Sequence, residues 1–349
     1  MSGPQPGRLR VAIVGAGLIG TKRARVLGQD ELVGIYDVDG DAAQRLAEEF
    51  GTVAAGSLEE LLAVAPDVVV VAVPHHLLAD NAIAALRAGA HVLVEKPGGI
   101  GVGQIDAIAE AAASAERLVK VGFNHRFHPA IAQAVTEARS GRFGDVMFAR
   151  ARYGHGGRLG YEKEWRMRPE LSGGGELIDQ GMHLLDIFYW LLGPLPLHSA
   201  LLRSQYWTPA VEDNAIVVLG EQGYDDRPWG MFHVTWTEWK NMFSLEIYCR
   251  TGKLAVEGLH GSYGSPRLHI YAMRPELGPP DAETIEFGSE DRSWELEWQH
   301  LRAAVAVNAP AAELLGDLAS ARYAWECVER AQETGGYRSA GDRAAAARR

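Results

Sequence analysis

Short apolar runs alternate with amphipathic stretches through the first third of the chain. Leu9 to Val14, Leu32 to Tyr36, Asp67 to Val73, His91 to Val94 and Val119 to Phe123 are dominated by valine, isoleucine and leucine. Continuous apolar runs of this length are the pattern of strands buried on both faces. Between them, Leu18 to Leu27, Asp41 to Phe50, a short segment capped by Ser57, His76 to Ala88 and Gln104 to Ala115 have helical spacing. Strands alternating with helices of about ten residues predict a parallel sheet covered on both sides.

After residue 125 the pattern changes. A helix over Pro129 to Ser140 leads into a strand over Asp145 to Tyr153, a glycine-rich loop over Gly154 to Gly175 and a helix over Glu176 to Leu192. From 197 to 288 the chain alternates between apolar and polar positions, with turns near Lys240-Asn241 and Thr251-Gly252, which predicts antiparallel strands. Helices near Trp294 to Val307 and Glu313 to Gln332 follow. The fold class predicted is α/β. A doubly wound parallel sheet over 1–125 precedes an α+β domain with a large, mostly antiparallel sheet over 126–335, and a flexible tail occupies 336–349.

Composition narrows the function. With 349 residues, 47 % of them apolar, the chain can bury a core without disulfides, and its two cysteines, Cys249 and Cys327, suggest neither a disulfide framework nor a zinc knuckle. The net charge of −11 is the wrong sign for a protein that grips nucleic acid through phosphates. The apolar stretches at 66–74 and 187–202 are broken by Asp67, Gly193, Pro194 and Pro196, too soon for a membrane span. Arg8 and Arg10 before Val11 to Gly20 imitate a signal peptide, but Thr21, Lys22, Arg23 and Arg25 follow with no small-residue cleavage pattern. A cytoplasmic enzyme with no nucleic-acid or membrane partner is expected.

The first strand runs into Gly15-Ala16-Gly17-Leu18-Ile19-Gly20, which opens a helix. In such a turn the first glycine permits the tight bend, the second admits the pyrophosphate and the third lets helix and strand pack closely. The helix N-terminus offers N–H groups and a partial positive charge to the phosphates. Asp37 ends the second strand 22 residues after Gly15, where an acid accepts hydrogen bonds from the adenosine ribose. Its carboxylate disfavours a 2′-phosphate, so NAD is expected over NADP.

His91-Val92-Leu93-Val94-Glu95-Lys96-Pro97 ends a buried strand with two charges and a proline. Ligands of open α/β sheets bind beyond the carboxyl ends of the strands, so Lys96 is a candidate functional lysine. Here the sequence resembles the glucose–fructose oxidoreductase/inositol dehydrogenase/MocA family of sugar dehydrogenases. The matching residues are the glycine turn, Asp37, Val73-Pro74-His75, Glu95-Lys96-Pro97, Asn124-His125-Arg126-Phe127 and Gly173 to His183 with its Asp179-x-x-x-His183. Leu78 and His125 depart from that family's usual pattern, His125 standing where arginine or tyrosine is common. The resemblance implies a Rossmann domain whose cofactor contacts include Val73, Pro74, His75, Glu95, Lys96 and Asn124. It also implies activity on secondary hydroxyls, and dimers or tetramers formed through the C-terminal sheet.

Asp179 and His183 are four apart and share a helical face, distinct from the apolar stripe of Ile178, Met182, Leu185 and Leu192. Asp179, His183 and Asp186 do not form a known zinc signature, and no metal site is expected. In the mechanism expected, the substrate hydroxyl hydrogen-bonds Lys96 and His183. An imidazole, titrating near 6.5 in water, takes its proton, the lysine stabilises the developing alkoxide, and Asp179 orients substrate or imidazole. For this the three side chains must meet at the reactive end of the cofactor, with the base assignment open between Lys96 and His183. In the loop, Trp165 suits the C–H face of a sugar, while Arg158, Lys163 and Arg166 suit hydroxyls or a phosphate. Alternatives are an epimerase or glycosidase retaining its NAD, and a non-catalytic NAD-binding regulator. Phe232, Val234, Trp236, Phe243, Leu245 and Ile247 alternate along the predicted sheet and offer either a core or a subunit interface.

Overall fold

The computed structural model describes residues 7–334 except 209, 225, 308, 312 and 313, so the tail predicted over 336–349 lies outside the described residues. The first half contains β1 (Arg10–Val14), α1 (Leu18–Arg25), β2 (Glu31–Tyr36), α2 (Gly40–Phe50), α3 (Leu58–Ala63), β3 (Val68–Val71), α4 (His75–Arg87), β4 (His91–Val94), α5 (Val102–Ala115) and β5 (Val119–Val121). Then come α6 (Pro129–Arg139), β6 (Val146–Gly154), α7 (Pro169–Ser172) and α8 (Met182–Leu192). Seven strands follow: β7 (Leu197–Arg203), β8 (Asn214–Leu219), β9 (Trp229–Thr235), β10 (Met242–Cys249), β11 (Gly252–Glu257), β12 (Arg267–Ala272) and β13 (Asp281–Glu286). The helices α9 (Ser293–Ala306) and α10 (Leu318–Thr334) close the described chain. The fold forms two compact units, one of residues up to 124 with 293–322, the other of 125–292 with those from 323 onward. Residues 293–322, placed with the second domain by sequence, therefore count with the first.

In the first unit the sheet is parallel with order β2-β1-β3-β4-β5. The order reverses between β1 and β3, the switch point at which open sheets of this kind bind ligands. Because side chains alternate across a strand, Val11 and Ile13 of β1 with Val68 and Val70 of β3 share one face. They pack there with Ala24 and Leu27, with Ala43, Leu46 and Ala47 of α2, and with Trp298 and Leu301 of α9. Ala12, Val14, Val69 and Val71 are buried on the other face. Local signals act as read: Ser57 accepts from the Glu60 N–H at the start of α3, and Glu60 in turn accepts from the Gly56 N–H.

In the second unit the sheet has order β13-β12-β11-β10-β6-β9-β8-β7, antiparallel except for the β6–β9 pair. Register puts Leu245 opposite both Ala151 and Val256, and Phe232 opposite both Ala151 and Val217, so one apolar face runs across these strands. Phe232, Val234, Trp236, Phe243, Leu245 and Ile247 are all buried within the chain. The alternation read as either core or interface is core, with Phe188 of α8 edge-on to Phe232. The opposite face carries Arg150, Arg152, Glu246, Tyr248 and the ring stack of Trp229, Phe148 and Tyr248.

Two predicted helices differ from expectation. The segment read as one helix over 176–192 opens with a π-helical turn, Leu177–Gly181, before α8. Gly181 closes that turn, and a Cβ on it would lie 2.8 Å from Leu177 Cδ1, the far end of a side chain. The segment is also buried on nearly every side from Leu177 to Phe188, so the two-faced helix expected from sequence is not present. The last helix starts at Leu318, with Asp317 Oδ1 accepting from the Ser320 N–H, because Gly316 breaks the periodicity upstream. Among the described residues no helix is long and apolar enough to cross a membrane.

Candidate active site

The candidate residues fall into two groups, one in each unit. In the first, every predicted cofactor residue follows the carboxyl end of a strand: Gly15–Gly20 after β1, Asp37 after β2, Val73, Pro74 and His75 after β3, Glu95 and Lys96 after β4, and Asn124 after β5. In a parallel sheet these ends form one edge.

The turn at 15–20 fits a pyrophosphate. Gly15 has φ +106°, and a Cβ on it would lie 2.3 Å from the Ala72 carbonyl oxygen. A Cβ on Gly20 would lie 1.9 Å from the Gly15 carbonyl oxygen, so helix and strand pack backbone to backbone. At Gly17, by contrast, a Cβ meets nothing within 4 Å, and no side chain caps α1. The first-turn N–H groups of α1 thus face a space kept clear by the absence of a side chain, the arrangement anions occupy at helix N-termini. Asp37 accepts from the Ala16 N–H at 2.7 Å and the Asp39 N–H at 2.9 Å, which fixes its carboxylate beside the turn.

At the β4 exit the Lys96-Pro97 peptide is cis. Glu95 lies in a buried ion network that sequence reasoning missed. Arg23 of α1 sits 2.6 Å from Glu95 and 2.7 Å from Glu297 of α9, and Lys120 of β5 lies 3.7 Å from Glu297 and donates to the Leu315 carbonyl. Trp294 covers the Arg23 guanidinium at 4.4 Å. Burial pushes the Glu95 carboxyl up despite the pull of Arg23. Asn124 donates to Ser293 Oγ at 2.9 Å. The phosphate turn, the Lys96 strand exit and the start of α9 are thereby tied together.

In the second unit, His183 is 7 % exposed and stacks on His125 with ring centroids 3.8 Å apart at 21°. His125 Nε2 in turn lies 3.2 Å from the Tyr153 hydroxyl. Gln180 donates to the Tyr263 hydroxyl at 3.0 Å. Burial, reinforced by nearby Asp179 and Glu176, raises the Tyr153, Tyr161 and Tyr263 phenols, so all three remain neutral hydroxyls at physiological pH. Arg166 approaches Asp179 at 3.7 Å and Glu164 at 3.6 Å and lies over Trp165 at 4.7 Å. Of the three loop cations singled out by sequence, Arg166 pairs with Asp179. Arg158 pairs with Glu164 at 2.5 Å, and Lys163 is exposed. Asp186 is held by Arg126 through two contacts of 2.7 Å, one from Nε and one from Nη2.

Glu212 anchors the segment carrying Asp179 and His183, its Oε1 accepting from the N–H groups of Gly175 and Leu177, each at 3.1 Å. Burial pushes its carboxyl up to about 7 against the pull of those N–H groups. A carboxyl whose pKa is higher folded than unfolded holds its proton longer in the folded state, so its stabilising contribution falls as pH rises from about 4.5 to 7. Glu212→Gln keeps the acceptor oxygen without the charge. Its melting temperature should lose less than the wild type's between about pH 5 and 8 in scanning calorimetry; parallel pH curves would contradict the assignment.

Comparison with known proteins extends the geometry. Residues 9–123 match the model of an oxidoreductase family with an NAD-binding Rossmann fold, and residues 131–255 match the GFO/IDH/MocA C-terminal domain. The chain belongs to the GFO/IDH/MocA oxidoreductase family. D-glucoside 3-dehydrogenase of Escherichia coli K12 is 34 % identical over 193 residues, 53 % of this chain and 54 % of that protein. The chain spans about half the length, or less, of the curated relatives it matches first. Among solved structures, GenD2 from gentamicin A biosynthesis in complex with NAD is 24 % identical with a TM-score of 0.79, covering 96 % of each chain. A levoglucosan dehydrogenase in complex with NADH and levoglucosan is 20 % identical with a TM-score of 0.81, covering 94 % of this chain and 97 % of that one. At those identities the structural likeness establishes the GFO/IDH/MocA fold over almost the whole chain.

Proposed function

We propose that this GFO/IDH/MocA chain is an NAD-dependent dehydrogenase that oxidises a secondary hydroxyl of a sugar, amino sugar, nucleotide sugar or cyclitol. The observation that carries the reading is Lys96 at the carboxyl end of β4, on the sheet edge that also carries the phosphate turn and Asp37. When bound, NAD supplies the hydride acceptor. Gly15 to Gly20 would hold its pyrophosphate, and Asp37 would accept from the ribose hydroxyls and disfavour NADP by charge. Val73, Pro74, His75, Glu95 and Asn124 complete the cofactor surface.

The substrate hydroxyl hydrogen-bonds Lys96 and His183. His183 takes the hydroxyl proton, and the Lys96 ammonium stabilises the alkoxide as it develops. His125, stacked on His183 and anchored at Tyr153, holds the imidazole plane, and Asp179 orients the substrate. Trp165 and Arg166 contribute a ring face and a guanidinium whose charge is already matched by Glu164 and Asp179, an arrangement suited to neutral hydroxyls more than to a phosphate. Arg158 and Lys163 serve the loop's outer rim. Two buried cysteines not joined in a disulfide agree with a reducing compartment such as the cytoplasm. The sheet face bearing Phe148, Arg150, Glu246 and Tyr248 mates with a second copy, giving a dimer or tetramer; light scattering that finds monomer alone would refute this.

The test is purified chain with NAD and a panel of glucosides, amino sugars, nucleotide sugars and inositols. Net formation of NADH is expected, with a keto product. Altered sugar without net NADH would instead identify an epimerase or glycosidase that recycles its cofactor, and NAD binding with no turnover would identify a regulator.

A further inference from the structure

Three side chains far apart in sequence, His128, His260 and Asp291, converge within the second unit, with one ligand-capable atom from each lying within 4.8 Å of the others. His128 directly precedes α6, His260 sits in the turn between β11 and β12, and Asp291 lies just before Ser293. The two imidazoles are 3 % and 7 % exposed, while Asp291 faces solvent. None of the three belongs to the proposed dehydrogenase chemistry.

The ring geometry selects the donor atoms. His260 Nε2 lies 2.8 Å from the Gly288 carbonyl oxygen, which accepts hydrogen bonds only, so this nitrogen carries the hydrogen and Nδ1 presents a lone pair. That lone pair is 3.2 Å from His128 Nε2. A backbone carbonyl fixing the far nitrogen is the usual way a ligating histidine is oriented. The His260 backbone adds a second sign of design: φ +68° with ψ 172° is a region that residues with a Cβ rarely enter. Such a conformation is strained and persists only where its surroundings hold it.

Two readings of the 3.2 Å separation compete. A neutral N–H···N bond contributes little net stability, because folding exchanges it for hydrogen bonds to water. It would have to offset that backbone strain and the burial of His128 Nδ1, which has no hydrogen-bond partner. A bridging cation offers more, since an ion bound only by the folded arrangement adds its binding free energy to that of folding. Zinc–nitrogen bonds of about 2.0–2.1 Å in tetrahedral geometry put two nitrogens about 3.4 Å apart, close to the spacing seen. Asp291 adds a carboxylate oxygen to the two imidazoles, an O/N donor set that zinc accepts.

We propose that His128, His260 and Asp291 form a structural site for a divalent transition metal of the zinc class, with solvent as fourth ligand. The ion pins the β11–β12 turn to the start of α6. Tyr263, whose N–H bonds the His260 carbonyl and whose hydroxyl receives Gln180, is held in place through that turn.

The test is cobalt(II) added to chelator-stripped, full-length chain, followed by desalting, visible spectroscopy and elemental analysis. About one cobalt per chain with the intense visible bands of a tetrahedral site is expected, and zinc should displace it. Asp291→Asn, an exposed change compatible with folding, should weaken cobalt binding by at least the roughly 10–100-fold that loss of a second-shell partner costs, and His260→Gln should abolish the bands. Wild-type chain that retains no cobalt, or the same spectrum in wild type and Asp291→Asn, would overturn the proposal. Circular dichroism separates a folded His260→Gln chain from a collapsed one, and Asp291→Asn decides the outcome if the former does not fold.

Discussion

Lys96→Met is expected to lower kcat by about 10²–10³-fold, the range found when a single group stabilising a developing oxyanion is removed. His183→Asn should lower it by about 10²–10⁴-fold, the range for a general base. NAD affinity should change little in either variant, because the contacts proposed for the pyrophosphate and ribose come from the glycine turn and Asp37, whose carboxylate is set by the N–H groups of Ala16 and Asp39. Methionine approximates the length of lysine without its charge, so the change reports electrostatics more than packing. Calorimetric titration with NAD beside steady-state rates separates binding from chemistry. Near-wild-type kcat in His183→Asn would assign the proton to Lys96 instead, and near-wild-type kcat in both would remove the proposed chemistry.

Glu297→Ala is expected to destabilise the chain by about 3–5 kcal/mol, the cost of breaking a buried ion pair from one side. Glu297 is fully buried between Arg23 and Lys120, themselves buried. Its removal leaves two interior cations facing a single carboxylate, Glu95, and neither cation can reach water without moving a helix or a strand. At roughly 2–4 °C per kcal/mol, the melting temperature should fall by roughly 6–20 °C. Glu297→Gln, which keeps a hydrogen-bond acceptor, should lose less. Scanning calorimetry checks both; a loss below about 1 kcal/mol in the alanine variant would show that the network relaxes without cost. Because Glu95 adjoins Lys96, variants that survive should also show a lower kcat with little change in NAD affinity.

Much of the fold was legible because burial on both faces leaves a strong mark. The valines of β3 and the apolar run of β1 have no other reading once a glycine turn and helix follow. Glu95-Lys96-Pro97 stood out because the carboxyl end of a buried parallel strand is where open sheets of this kind bind ligands. The charged network behind it was hidden: Arg23 follows the turn in a run that looks like a solvated helix, and the sequence of α9 does not say that Glu297 is turned inward with Trp298 and Leu301. Periodicity shows that a helix has an apolar side but not which core receives it, so α9 was placed with the wrong unit. Alternation along β9 and β10 likewise grouped Phe232, Val234, Phe243 and Leu245 on one face without saying that α8 packs on β9 and α6 on β10. The π-helical turn at 177–181 escaped for a related reason, since its apolar content matches an α-helix and periodicity does not resolve one wider turn. In the loop, Arg158, Lys163 and Arg166 looked equivalent; the ion pairs with Glu164 and Asp179 separate them.

Isotope transfer tests hydride transfer itself most directly. A glucoside or inositol that the panel identifies as substrate, deuterated at the carbon bearing the oxidised hydroxyl, should pass its deuterium to the cofactor, giving NADH heavier by one mass unit. Turnover should slow relative to the protonated sugar under single-turnover conditions. Deuterium that stays on the sugar, or exchanges into solvent while the sugar is converted, would contradict the account.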